Sequence, residues 1–487
     1  MTAPARRVGD PLAASPEGLA RRLRILSPRL SPPPTPWPSY AIHGATMALW
    51  ILLLAAPFGL KGVFVWSAGI VYASYDTVLL VFTFVRTLAL LRPPPPAPPG
   101  MKRPTLAVLV AARNEAGVLP ATLRALLEQA EPPEEIMLAD DGSTDATDEA
   151  MRAAFGMQRP AIGTVAIGPG PLRWLRLPPG GKARAMNAAL GRLASEVVVT
   201  VDADTHLEPG AIAAMREAFA RDPGLVAATG VITPVCAPTL VGRTLQWFQT
   251  YEYMRNFLSR YAWMRSDSLL LISGAFAGFR ARAVIEVGGF DPDCLVEDYE
   301  LIHRLRRFGA DEGLGWRTAV IGGARARTEA PSTPMAFLRQ RRRWFGGFLQ
   351  TQFWYREMVG NARYGELGLV HLPVKAADTV QPIYGLTAFG LLITNLVTGR
   401  LGILLAISGV IGAKIALDLA FHLWSVMLYR RWIGPGVRLS PLLAIAAAVA
   451  EPFTFQLLRH VAALWGWSTF LTGRQTWGRQ SRAGALG

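Results

Sequence analysis

The sequence predicts an α/β unit, a mostly parallel sheet with flanking helices, inserted between α-helical transmembrane segments. Three observations predict it. Short continuous apolar runs at 106–112, 136–139 and 197–201 alternate with helical patterns, as buried parallel strands joined by crossover helices do. Each of these runs ends in a polar cluster, and in open α/β sheets the carboxyl ends of the strands hold the ligands. Apolar stretches of membrane length lie on both sides of this region.

The composition agrees. Hydrophobic residues make up 51% of the 487 residues and charged residues 17%, with a mean hydropathy of +0.26. That is too apolar for an ordinary soluble enzyme and points to an integral membrane protein. The formal net charge is +15. No zinc-finger, homeodomain or RNA-motif signature accompanies the spread-out arginines, so nucleic acid is not an expected partner. Contact with anionic lipid and basic cytoplasmic loops account for the charge instead. Cys236 and Cys294 are the only cysteines, and two reduced thiols are expected.

Along the chain, residues 1–39 form a basic, Pro-rich N-terminal tail that cannot bury a core and is expected to be disordered at least in part. Residues 40–92 hold two spanning helices, 40–58 and 63–91, with basic flanks that place both ends in the cytoplasm. Asp76 is costly in lipid and is expected to face another helix. Residues 93–99 form a stiff Pro linker. Residues 100–334 form the α/β unit, with helices at 118–129 and after the second strand. Residues 335–365 are aromatic and basic and are expected to form amphipathic helices at the membrane interface. Residues 366–472 supply three or four further segments, with Lys414 and Asp418 paired on one helix face and a break near Glu451-Pro452. The basic tail 473–487 is expected inside, with an even number of crossings.

The polar clusters carry the chemistry. Arg113-Asn114-Glu115 follows the first strand. Its turn can accept a base or ribose, or Asn114 can cap a helix. Asp141, in Asp140-Asp141-Gly142-Ser143, can accept hydrogen bonds from a nucleoside, although Asp-Gly-Ser-Thr is also an ordinary turn. Gly180-Gly181-Lys182 puts flexible backbone beside a cation, as a diphosphate requires, without P-loop spacing. Asp202 and Asp204 flank Ala203 at the end of an apolar strand, where alternate carboxylates can converge on Mg²⁺ or Mn²⁺. His206 is a further candidate ligand. In Glu297-Asp298 a carboxylate can act as a general base, or the pair can mark a helix start. Gln340, Arg343 and Trp344 offer a diphosphate cation and an indole face for a sugar ring, while Arg341 and Arg342 are candidates for lipid headgroups.

Asp140-Asp141-Gly142-Ser143, the Asp202–Asp204 triplet, Glu297-Asp298 and Gln340-x-x-Arg343-Trp344 together resemble the membrane-integrated family 2 glycosyltransferases. The likeness is to the processive β-glycan synthases that make cellulose, hyaluronan, chitin and poly-N-acetylglucosamine. It covers residues 104–346 and the flanking helices more loosely. It implies a GT-A-like domain, a UDP-sugar donor, a divalent cation and inversion at the anomeric carbon. By that resemblance Asn114, Glu115, Asp141, Lys182 and Asp202 hold the donor. Asp202 and Asp204 serve the metal, Asp298 is the base beside Glu297, and Gln340, Arg343 and Trp344 line the acceptor end. Ser273-Gly274-Ala275-Phe276 is similar to the loop that positions the acceptor sugar. Three departures stand out. Ala111–Glu115 lacks the family's frequent Pro and Tyr. Leu295-Val296 replaces a frequent Thr. No cyclic-dinucleotide domain follows residue 473. The expected function is transfer of sugar to a growing β-linked polysaccharide with passage across the bacterial inner membrane, the catalytic domain being cytoplasmic. The alternative is addition of one sugar to a lipid acceptor.

Overall fold

The computed structural model describes residues 15–92, 100–434 and 439–473. Nine strands form one sheet: β1 (Leu106–Ala112), β2 (Glu135–Asp140), β3 (Val165–Ile167), β4 (Leu172–Arg176), β5 (Val197–Asp202), β6 (Thr205–Leu207), β7 (Leu225–Val235), β8 (Phe276–Arg280) and β9 (Arg317–Glu329). Their order is β3-β4-β2-β1-β5-β8-β7-β9-β6. Strand β1 sends Leu106, Val108 and Val110 into one core and Ala107 and Leu109 into another. Both faces are covered, which is why the run reads as unbroken apolar rather than alternating.

The parallel arrangement expected from the sequence holds for β4, β2, β1 and β5. Beyond β5 the sheet is mixed. Strand β8 runs antiparallel to both β5 and β7, and β7 and β9 are again parallel. The loop before β8 sits against the end of β5, where the Asp202 N–H donates to the Ala275 carbonyl at 3.2 Å. A strand that starts beside its neighbour's end must run back along it. The reversal brings residues 273–275 to the same edge as the carboxyl ends of the parallel strands.

The N-terminal segment departs from expectation. A helix spans Pro16–Leu26, with Ser15 as N-cap accepting from the Gly18 N–H at 3.1 Å and Pro16 at its first position. Leu19 and Leu23 are buried against the turn at Gly288, whose φ of +92° and contact with the Leu23 backbone leave no room for a Cβ. Arg29 then forms a two-pronged pair with Asp291, at 2.9 and 2.8 Å. Two leucines one helical turn apart were too little periodicity to read against a Pro- and Arg-rich background. Residues 1–14, the Pro linker at 93–99 and the basic tail from 474 lie outside the described residues.

Among the described residues, three helices are long and apolar enough to cross a membrane: Trp37–Gly59, Val63–Leu91 and Gly402–Ile433. Two bent pairs pass the same test, Leu367–Asp378 with Gln381–Val397 at 40° and Pro441–Phe453 with Phe455–Thr472 at 48°. The second bend falls at the expected Glu451-Pro452 break. Asp76 faces another helix, as expected, pairing with Lys414 at 2.6 Å, and Lys414 also pairs with Asp418. The aromatic and basic region forms one helix, Pro334–Trp354, packed along Phe455–Thr472. Cys236 and Cys294 are free and buried.

The Asp291 side chain is fully buried. Arg29→Ala therefore strands a buried carboxylate and is expected to cost about 3 kcal/mol, read as a lower Tm of the purified protein. Arg24→Ala, at an exposed position on the same segment, is expected to change stability by less than about 0.5 kcal/mol. Equal melting of the two variants would show that the docked segment does not anchor to the domain.

Candidate functional site

Register places Ala112 opposite Asp140 and Ala111 opposite Asp202. The ends of β2, β1 and β5 are thus level, and the loops that follow them share one edge. Asn114, Glu115, Asp141, Lys182, Asp202, Asp204, Glu297, Asp298, Gln340, Arg343 and Trp344 all line one cavity of about 1780 Å³. It continues from the sheet edge into the helical bundle, past Tyr72, Asp76, Lys414 and His460.

The loops at this edge hold one another. Asn114 has a positive φ of 59°. Its Oδ1 accepts from the Thr144 N–H at 2.8 Å, and its own N–H donates to Ser143 Oγ at 3.0 Å. It therefore ties two loops together and does not cap the Leu119–Leu127 helix, whose N-cap is Val118. Asp140 is buried and structural, accepting from the Ser143 N–H at 2.8 Å. Asp141 accepts from the Gly180 N–H at 2.6 Å and the Gly181 N–H at 2.9 Å, with Arg113 at 3.6 Å. The glycine pair lets backbone approach a carboxylate, and Lys182 follows at the start of the next helix.

Lys182 is the electrostatic centre of the edge. Its Nζ lies 2.5 Å from Asp202 Oδ1 and 3.6 Å from Glu297 Oε1. Burial pushes this lysine down, but the two carboxylates outweigh it and hold its pKa above the ordinary value. Glu297 is held above the usual carboxylate range by burial, against the pull of Lys182 and with a further push from Asp298.

Glu297 and Asp298 open the Glu297–Asp311 helix, so the helix-start reading and the functional reading are both compatible with their placement. Asp298 Oδ2 accepts from the Gly274 N–H at 2.7 Å, and Oδ1 accepts from the Tyr299 N–H at 2.9 Å. The Ser273–Ala275 loop thus aims the carboxylate into the cavity. A Cβ at Gly274 would lie 2.8 Å from that oxygen.

From the Pro334–Trp354 helix, Arg343 donates to the Leu295 carbonyl at 3.2 Å, and Gln340 and Trp344 line the same space. Arg341 is not free for a lipid headgroup. Arg341 pairs with buried Glu252 at 2.6 Å and lies 4.3 Å from the Trp344 ring centre, while Arg342 stacks on Trp465 at 4.7 Å. One face of Trp344 is therefore covered by a guanidinium. His206 lies in edge strand β6 rather than among the cavity residues, and burial lowers its pKa.

Among the described residues no group of three His, Cys, Asp or Glu side chains could hold a metal. Asp202 and Asp204 nevertheless line the same cavity. Two carboxylates completed by substrate phosphates and water fit the way Mg²⁺ is ordinarily bound.

The long helix Leu240–Met264 was missed at the sequence level. Its Glu252, Arg255, Asn256, Ser259 and Arg260 all line the cavity. Polar residues recurring three and four apart among aromatics were the available signal.

The profile described as "Glycosyltransferase like family 2" matches residues 104–347, half of the chain. The poly-beta-1,6-N-acetyl-D-glucosamine synthase of Staphylococcus epidermidis is 27% identical over 204 residues, covering 42% of this chain and 46% of that protein. The enzyme of the same name from Staphylococcus aureus strain MSSA476 is 28% identical over 241 residues, 49% of this chain and 53% of that protein. The chain thus spans about half the length of the curated relatives it matches. Among solved structures, a mannosyltransferase from Pyrobaculum calidifontis, in complex with GDP-Man and Mn²⁺, is similar with a TM-score of 0.51 at 20% identity. The likeness covers 85% of this chain and 99% of that one, and it carries the fold. With its GT-A-like sheet, its apolar helices and a profile match across the whole edge that bears the acidic clusters, the chain belongs to glycosyltransferase family 2.

Proposed function

We propose that this enzyme transfers sugar from a UDP-sugar to a growing β-linked polysaccharide and guides the product across the inner membrane. The observation that carries the reading is the continuity of the cavity, which runs from Asp141 and Lys182 past Asp298 and Trp344 to Tyr72 and His460 between membrane-length helices. A single-sugar transferase needs no polar passage beyond its acceptor.

In this reading Asp141, with Asn114 and Glu115, receives the nucleoside, and Lys182 and Arg343 face the diphosphate. Lys182 exchanges part of its pairing with Asp202 for the incoming phosphates. Mg²⁺ or Mn²⁺ held by Asp202 and Asp204 supplies positive charge to the diphosphate leaving group. Asp298 takes the proton of the acceptor hydroxyl as that oxygen bonds to the anomeric carbon and the bond to the diphosphate breaks, which inverts the centre. Gln340 and Trp344 flank the acceptor, with the one ring face that Arg341 leaves open. The α/β domain lies on the cytoplasmic side, where UDP-sugars are made and where the basic flanks of the first two helices belong.

Purified protein given radiolabelled UDP-sugars is expected to make polymer, and EDTA is expected to stop it. A lipid carrying only a single added sugar would overturn the polymerase reading, and undiminished activity in EDTA would overturn the metal. Asp298→Asn is expected to lose about 10²–10⁴-fold in rate with UDP affinity retained.

The Gly274 contact gives a sharper test of Asp298. Gly274→Ala pushes a Cβ against Asp298 Oδ2, at 2.8 Å before adjustment. The displaced base is expected to lower kcat by about 10²-fold while leaving the KM for donor close to wild type. A variant with normal kcat would show that the carboxylate held by this loop is not the base.

A further inference from the structure

The helix Leu240–Met264 packs against Ser67–Thr87 and Leu401–Ile433 on its membrane side and against β7 and β9 on the other. Its Phe82–Trp263 ring contact, at 4.4 Å between centroids, ties it to the second membrane-length helix. Polar groups on this helix therefore face the part of the cavity that joins the catalytic edge to the helical bundle.

Most of its charges are matched. Arg255 grips Glu451 at 2.5 Å, and Glu252 takes Arg341 at 2.6 Å and Arg459 at 3.2 Å. Elsewhere around the cavity Lys182, Lys375 and Lys414 each hold an aspartate. Arg260 differs. It lines the cavity, yet its Nε and Nη1 are buried with no hydrogen-bond partner, and among the described residues no ion pair reaches it. Its guanidinium lies 4.5 Å from the ring centre of Phe257. Asp298 and the hydroxyls of Tyr253 and Tyr429 act on it only at longer range.

Two buried guanidinium nitrogens without a hydrogen-bond partner are expensive. The cost shows in its acidity, since burial lowers the Arg260 pKa to about 10. Its planar fork of donors matches a phosphate oxygen pair. The donor diphosphate already has Lys182 and Arg343 at the sheet edge, whereas Arg260 lies towards the membrane-length helices. A neutral sugar chain offers only hydroxyl acceptors, whereas a phosphate adds the negative charge that makes such hydrogen bonds about twice as strong.

We propose that Arg260 is a binding site for a phosphate group carried by the acceptor, with the phosphate ester of a long-chain lipid as its source. The inference rests on the transferase reading of the cavity and deepens it. The sugar chain is begun on, or remains attached to, an anionic lipid whose headgroup sits between the Asp298 edge and the helical bundle. The packing against two membrane-length helices favours a lipid over a soluble phosphate, because a headgroup anchored in the bilayer reaches this level of the molecule.

The test uses the full chain in nanodiscs, with a polyprenyl phosphate and the uncharged polyprenol of equal length as probes. Wild-type protein is expected to bind the phosphate at least about tenfold more tightly than the alcohol, in line with a charged hydrogen-bonded contact. Arg260→Gln is expected to erase that preference, and Arg260→Lys to restore part of it. A UDP titration on each preparation reports whether the catalytic domain is folded and whether the donor site is intact. Failure of UDP to bind wild-type protein would therefore count against the transferase reading rather than against this site alone. A short, water-soluble alkyl phosphate that competes as strongly as the lipid would keep the phosphate site and reassign its source. Equal wild-type binding of phosphate and alcohol, or an unchanged preference in a UDP-binding Arg260→Gln protein, would overturn the proposal.

Discussion

Lys182 reaches Asp202 at the end of β5 and Glu297 at the start of the Glu297–Asp311 helix. These two carboxylates come from parts of the chain far apart in sequence, one at the parallel edge of the sheet and one beyond its antiparallel extension. Without the cation between them they would repel across a buried space. With it, the strand end carrying Asp202 and Asp204 and the helix start carrying Glu297 and Asp298 are drawn to opposite sides of one cleft. The geometry of the whole edge follows from that shared ion pair. In the proposed mechanism the same lysine turns to the donor diphosphate, so the contact that organises the cleft is one that substrate can redirect.

The helical bundle solves a related problem. Apolar helices cannot surround a polar passage unless each charge turned inward finds a partner. Asp76 shares Lys414 with Asp418, and Arg255 meets Glu451 at the break between two helices. Glu252 then links Arg341 on the Gln340-x-x-Arg343-Trp344 helix to Arg459 in the last bent pair. Such pairs contribute little net stability, but losing one member leaves an uncompensated charge. They hold the sheet edge and the bundle in register across the cavity that the two share.

Three of the nine strands, β1, β2 and β5, were legible in the sequence, because a strand buried on both faces leaves an unbroken apolar run. The edge strands β3 and β6 are three residues each, too short to leave a periodic trace. The antiparallel entry of β8 was not legible either. Direction within a sheet depends on where the preceding loop returns, and that is a tertiary fact. The docked N-terminal helix was hidden for a different reason. Its two buried leucines fit a complementary turn at Gly288-Gly289, and a sequence does not show which distant turn will receive them.

The candidate site divides along the same line. The residue types and their order, from Asp141 through Lys182, Asp202, Asp204 and Glu297-Asp298 to Gln340, Arg343 and Trp344, were set by the sequence alone, because Asp141, Asp202 and Asp204 follow recognisable strand ends and the others form short charged and aromatic motifs. Tertiary structure alone decided how each is used. It turned Asn114 from a possible helix cap into a brace between loops, and it took Arg341 away from lipid by pairing it with Glu252. It aimed Asp298 through one backbone N–H of Gly274 and left two buried nitrogens of Arg260 without a hydrogen-bond partner. Which charge finds a partner depends on what packs opposite it, and no local pattern of residues carries that information.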